Sequence, residues 1–120
     1  MSTITLYHGT RLAAVNTVAQ WPKAKHSEGG FGFYVTTEIN TARRYGQLVV
    51  AWTIDYEDFV KHHNLAFTPV DTRYKEGLAE LSECLEQGTE LKLNQHQADE
   101  LAVEASHVEI LDTRDRIYTI

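Results

Sequence analysis

Two short stretches in the first third of the chain carry residue types that could do chemistry together. The first is Leu6-Tyr7-His8-Gly9-Thr10, and the second is Gly29-Gly30-Phe31-Gly32-Phe33-Tyr34-Val35-Thr36-Thr37. A histidine at the end of an apolar strand offers a polar handle. The glycine after it lets a ligand come close to the main chain and use its N–H and C=O. A glycine-spaced aromatic run ending in Tyr34 adds a flat ring, and aromatic faces attract cations. This set suits a flat, cationic ring such as that of nicotinamide. For His8 alone, a hydrogen-bonded core histidine is the competing role, and Gly9 shifts the balance toward a ligand. Tyr34 and Tyr45 have a competing role as core aromatics, with Tyr45 on an Ile39–Ala42–Tyr45 helix face.

The elements that would hold these residues follow from periodicity. Thr3 to Tyr7 reads as a strand closed by Gly9. Leu12 to Gln20 reads as a helix stopped by Pro22. Lys23 to Gly30 reads as a loop and Phe31 to Val35 as a strand. Thr37 suits an N-cap for a short helix with Arg43 and Arg44 in its last turn, and Gly46 suits a left-handed C-cap. Leu48 to Ile54, nearly all apolar and containing Trp52, reads as a central strand. Tyr56 to Leu65 fits a helix or an irregular crossing. Tyr74, Leu78, Leu81, Cys84 and Leu85 share the stripe of an amphipathic helix over Arg73 to Gln87. Glu90 to Leu93 fits a short strand. Leu101 to Val103, Val108 to Leu111 and Ile117 to Ile120 read as closing strands. That order predicts an α+β fold with a mixed or antiparallel sheet.

Composition narrows the chemistry. At 120 residues the chain is long enough for one domain over 1–120 and too short for two. The net charge of −6 argues against a basic nucleic-acid-binding face and allows an acidic surface that docks on a basic partner. The sequence predicts no secretory leader and no membrane segment. The single cysteine, Cys84, fits a reducing cytoplasm and a buried structural thiol. Gly30-Phe31-Gly32 lacks the third glycine of a dinucleotide fingerprint and precedes a strand, so a Rossmann reading fails. No Walker motif is present. His62 and His63 are adjacent and point apart on any regular element, and no HExxH occurs, so no metal site is expected.

His8-Gly9-Thr10 on the first strand, Gly32-Phe33-Tyr34 on a later one, and a helix from Thr37 to Gly46 carrying Tyr45 resemble the ADP-ribosyltransferase superfamily. The likeness is to its His–Tyr–Glu branch, that of diphtheria-toxin-like and poly(ADP-ribose)-polymerase-like enzymes. It covers Ile4 to Ile54 well, Asp99 to Ile120 loosely, and the stretch between hardly at all. It implies a compact ADP-ribosyltransferase-like fold, with a split sheet and flanking helices. The small size also resembles bacterial toxins and phage-encoded inhibitors, which implies a cytoplasmic effector.

The resemblance implies roles residue by residue. His8 would bond a ribose hydroxyl on the adenosine side of NAD, and Gly9 would hold the nicotinamide carboxamide, with Thr10 beside it in the motif. Tyr34 and Tyr45 would flank the nicotinamide ring. Ala42 stands where many relatives have a serine that adds a second carboxamide bond. Glu100, opening Leu101-Ala102-Val103, resembles the catalytic glutamate, with Glu104 in reserve and Asp99 third. A carboxylate on the ribose 2-hydroxyl would stabilise the oxocarbenium-like transition state. Ala98 replaces the Gln or Glu of arginine-modifying relatives, which weakens the case for an arginine target. The implied activity is mono-ADP-ribosyl transfer from NAD to a macromolecule, with a protein acceptor favoured over nucleic acid. Two alternatives share the motif: an RNA 2′-phosphotransferase, and a non-catalytic member that binds NAD or a partner protein.

Overall fold

The computed structural model describes residues 3–27, 30–55, 57–59, 68–69, 90–112 and 117–118. The central pair of strands forms where apolar and β-branched residues are densest. These are β1 (Thr3–Thr10) and β4 (Leu48–Asp55). They pair antiparallel along their whole length, from Thr3 opposite Asp55 to Thr10 opposite Leu48. Around them come β3 (Gly30–Thr36), β5 (Thr68–Pro69), β6 (Glu90–Leu93), β7 (His107–Leu111) and β8 (Ile117–Tyr118). The strand order is β5-β6-β3-β1-β4-β7-β8, and a short β2 (Lys25–Ser27) pairs with β3. Every strand pairing among the described residues is antiparallel. The architecture is therefore α+β with an antiparallel sheet.

Strand alternation sorts the sheet into two faces. Leu6, Phe33, Val35, Val50, Trp52, Ile54, Leu91, Leu93 and Ile110 join one buried cluster. Helix α1 (Val15–Gln20) adds Val15 and Ala19 to it, and helix α3 (Gln95–Glu104) adds Ala98 and Leu101. Both helices thus cover the same face. Trp52 is fully buried and its indole N–H reaches the Ala19 carbonyl at 3.4 Å, which satisfies its one polar atom. The opposite face carries Val49 and Ala51, and at the end of β1 it is crossed by α2 (Ile39–Ala42) and a 3-10 turn over Arg43–Tyr45.

The pairing between β1 and β3 is short. Their register holds one pair, Tyr7 opposite Thr36, while β1 stays paired to β4 as far as Thr10.

Several local expectations are corrected. The stretch Lys23 to Gly30 is not all loop, since Lys25 to Ser27 pair with Gly30 to Gly32. The strand expected over Leu101 to Val103 is helical and lies inside α3. A capping box decides this: the Asn94 side chain accepts from the Gln97 N–H at 2.8 Å, and the Gln97 side chain accepts from the Asn94 N–H at 2.8 Å. Thr37 does not cap α2; Glu38 holds that position without a side-chain bond, and the Thr37 hydroxyl is buried with no hydrogen-bond partner among the described residues. Gly46 has φ 175°, which is extended and not left-handed. The helix expected over Arg73 to Gln87, Cys84 with it, and nearly all of Tyr56 to Leu65 lie outside the described residues.

Candidate functional site

His8 follows the one registered β1–β3 pair, Tyr7 with Thr36, and faces the core opposite Val50. Its ring lies at 4.3 Å from the Phe33 ring, with 24° between their planes. Its Nδ1 is 2.5 Å from the Tyr34 carbonyl oxygen. A carbonyl only accepts, so Nδ1 carries the proton and donates, which leaves Nε2 as an acceptor when the ring is neutral. The ring is held neutral mainly by burial, which lowers its pKa from 6.5. The Lys25 cation pushes the same way, and the bond to Tyr34 opposes both. His8 is thus a neutral imidazole with a defined tautomer at the seam of β1 and β3. Among the expected roles, this arrangement can accept a hydroxyl proton.

The lowered pKa has a stability consequence. Above pH 6.5 both folded and unfolded states hold a neutral His8. As pH falls through 6.5 the unfolded chain takes up a proton that the folded one resists, so stability declines until the folded pKa is reached. His8→Gln, whose amide also donates to a carbonyl, is expected to show a shallower loss of Tm between pH 7.5 and pH 5.5 than the unaltered protein. Parallel pH profiles of Tm would contradict this.

Gly9 is needed for close packing. A Cβ built on it falls 1.8 Å from the Ala42 carbonyl oxygen, and one on Gly46 falls 2.1 Å from the Thr10 carbonyl oxygen. The two glycines let the α2 segment lie main chain against main chain across the end of β1. The Cβ side of Gly9 is therefore filled by Ala42, and a ligand would meet the strand edge that faces β3. Thr10 is buried in the same contact and Ala42 is buried beneath it. The turn into α2 is set by Thr36, whose hydroxyl accepts from the Glu38 N–H at 3.1 Å.

This crossing delivers Tyr45 to the face away from the core. Tyr45 is 64% exposed, and its hydroxyl donates to Glu90 Oε1 at 2.8 Å. Glu90 opens β6 directly opposite Thr36, and Lys92 stands opposite Tyr34. Cross-strand partners share a face, so Tyr34, Thr36, Glu90 and Lys92 lie together with Tyr45. Lys92 also spans Gly32, where an added Cβ would fall 2.3 Å from its Cγ. The result is two tyrosines and a carboxylate on one face of the sheet, with the His8 ring on the core face.

Comparison with family models, with curated proteins and with solved structures finds no match for this chain. The site therefore stands on its geometry.

That geometry puts Tyr34 and Tyr45 on the outer face with Glu90, His8 on the core face with its ring bonded to the Tyr34 carbonyl, and Gly9 at the end of β1 against Ala42. Glu100 and Glu104 lie on α3, whose Ala98 and Leu101 face the core cluster. The sheet stands between them and Tyr34. The position at a strand opening that suggested Glu100 does not exist, because the residues after it are helical. Asp99 is on the same helix, where it accepts from Gln95 Nε2 at 2.7 Å. Glu90 is the carboxylate that the sequence reading passed over. Its signal is the alternation Glu90-Leu91-Lys92-Leu93: with Leu91 and Leu93 buried, Glu90 must point to the other face. Among the described residues no group of three or more metal-ligating side chains occurs, and no helix is long and apolar enough to cross a membrane.

Proposed function

We propose that the protein is a mono-ADP-ribosyltransferase of the His–Tyr–Glu type, built on an ADP-ribosyltransferase-like split sheet, with Glu90 as its catalytic carboxylate. The observation that carries this reading is the hydrogen bond from Tyr45 to Glu90, on the face that also holds Tyr34. Tyr34 and Tyr45 flank the nicotinamide ring of NAD, whose positive charge is attracted by aromatic faces and by the carboxylate. The Gly9 main chain holds the carboxamide, and neutral His8 accepts a ribose hydroxyl through Nε2.

In the reaction the bond between ribose C1 and the nicotinamide nitrogen breaks, and its electron pair leaves with nicotinamide, which becomes neutral. Positive charge then spreads over the ribose ring. Glu90, bonded to the ribose 2-hydroxyl, stabilises that charge more in the transition state than in the ground state. A nucleophile of the acceptor forms the new bond at C1 and gives up its proton to solvent or to the carboxylate. Among the described residues no nucleophile for a covalent intermediate is evident at this site, and positioning and electrostatics supply the acceleration. The net charge of −6 favours a protein acceptor over nucleic acid.

Incubation of the protein with labelled NAD and a bacterial lysate tests the reading. The expected result is a labelled protein band together with free nicotinamide. A product that forms only with RNA would favour the phosphotransferase alternative, and the absence of any product would favour a non-catalytic role.

A further inference from the structure

The β2–β3 hairpin carries an aromatic pair that the roles above leave unused. Phe31 is 55% exposed, and its ring lies 5.0 Å from the His26 ring at 59°. The pair is fixed by register, since His26 stands directly opposite Phe31 across the two strands. Phe31 and Phe33 are two residues apart on β3 and so point to the same face. Phe33 is the residue against which His8 stacks, and it in turn meets the Trp52 ring edge-on at 5.7 Å. Phe33 thus stacks on His8 and meets Trp52 on this face, and Phe31, with its His26 partner, is the next residue of β3 on the same face.

A strand step of two residues is ~6.6 Å. Phe31 thus lies one nucleoside's reach beyond the stack in which His8 offers its Nε2 acceptor. A ribose whose hydroxyl meets His8 would carry its base outward over Phe31. Lys25 neighbours this position on β2, acts electrostatically on His8, and supplies a cation for the phosphates that follow.

We infer that Phe31 and His26 form the platform on which the adenine ring of NAD stacks. The inference rests on the transferase reading, because that reading gives His8 the adenosine ribose. It adds specificity-determining residues that the resemblance does not supply. It assigns nicotinamide to Tyr34, Tyr45 and Glu90 and adenosine to the His8 side of the β1–β3 seam. Stacking tolerates any planar base and requires none of its hydrogen-bonding edges, so the platform selects for the presence of a base more than for adenine in particular.

Calorimetric titration with ADP-ribose, NAD and nicotinamide, on the unaltered protein and on Phe31→Ala and Phe31→Trp, tests this. Phe31 is exposed, so neither change should disturb the fold. Phe31→Ala is expected to weaken ADP-ribose and NAD ~10-fold and leave nicotinamide affinity unchanged, and Phe31→Trp should restore binding. Equal affinity of Phe31→Ala and the unaltered protein for ADP-ribose, with NAD still bound and cleaved, overturns the platform and spares the transferase reading. Failure of the unaltered protein to bind either nucleotide overturns both.

Discussion

Replacement of Glu90 by glutamine is expected to lower the rate of nicotinamide release ~10²–10³-fold while leaving NAD affinity nearly unchanged. The magnitude is that of removing one preorganised group that stabilises charge in the transition state. The difference between rate and affinity follows from the proposed role: a carboxylate that acts on charge developing as the glycosidic bond breaks would contribute to kcat more than to binding. The fold should survive. Glu90 is only partly buried at the start of β6, and a glutamine oxygen can still accept the Tyr45 hydroxyl that now bonds Oε1 at 2.8 Å. Steady-state release of nicotinamide, measured beside Glu100→Gln, separates the two carboxylates. Glu100 lies on the helix that covers the core face, so its variant should turn over at the unaltered rate. The reverse pattern would return the catalytic role to α3.

Gly9→Ala is expected to be strongly destabilising. Its Cβ would stand 1.8 Å from the Ala42 carbonyl oxygen, where ordinary contact is 3.4–4 Å. The obstacle is main chain, so no side-chain rotation relieves it. Either α2 lifts from β1 or the end of β1 bends away. Overpacking of this kind costs about 3 kcal/mol or more, which corresponds to a Tm lower by roughly 10 °C in a domain of this size. Because α2 leads directly to Tyr45, the Tyr45–Glu90 bond should be lost with it and transferase activity should fall. A Tm within about 2 °C of the unaltered protein would show that the α2 segment is not packed on Gly9 as described.

The strands were the legible part of this fold, for a physical reason. The apolar run through Trp52 and the alternation in Thr3 to Tyr7 reflect burial that a period of two records directly. Helix α3 was missed because Gln95 to Glu104 buries only Gln97, Ala98 and Leu101, too few to write a clear helical stripe. Its stronger signal was the Asn94–Gln97 cap, which precedes the apolar residues and not the strand-like trio after them. Strand β2 is polar and short, and only its pairing with Gly30 to Gly32, which periodicity does not record, makes it a strand.

The site was legible in part. His8, Gly9, Tyr34 and Tyr45 announce themselves by type and spacing, yet their arrangement depends on contacts that spacing does not encode. The bond from His8 to the Tyr34 carbonyl joins a side chain to a main chain 26 residues away. The glycine that suggested ligand access is instead occupied on its Cβ side by Ala42. Glu90 could be found from its alternation with Leu91 and Leu93, but only by asking which face the polar residues of that strand must take. The acid was sought at a strand opening; β6 provides one, and the residues after Glu100 do not.

The most direct test of the account is a crystal structure of the Glu90→Gln protein with NAD. It is expected to contain intact NAD at the seam of β1 and β3, with the nicotinamide ring between Tyr34 and Tyr45, its ribose 2-hydroxyl at residue 90, and the adenosine ribose at His8. NAD bound elsewhere, or bound with its nicotinamide ring on the α3 side of the sheet, would contradict it.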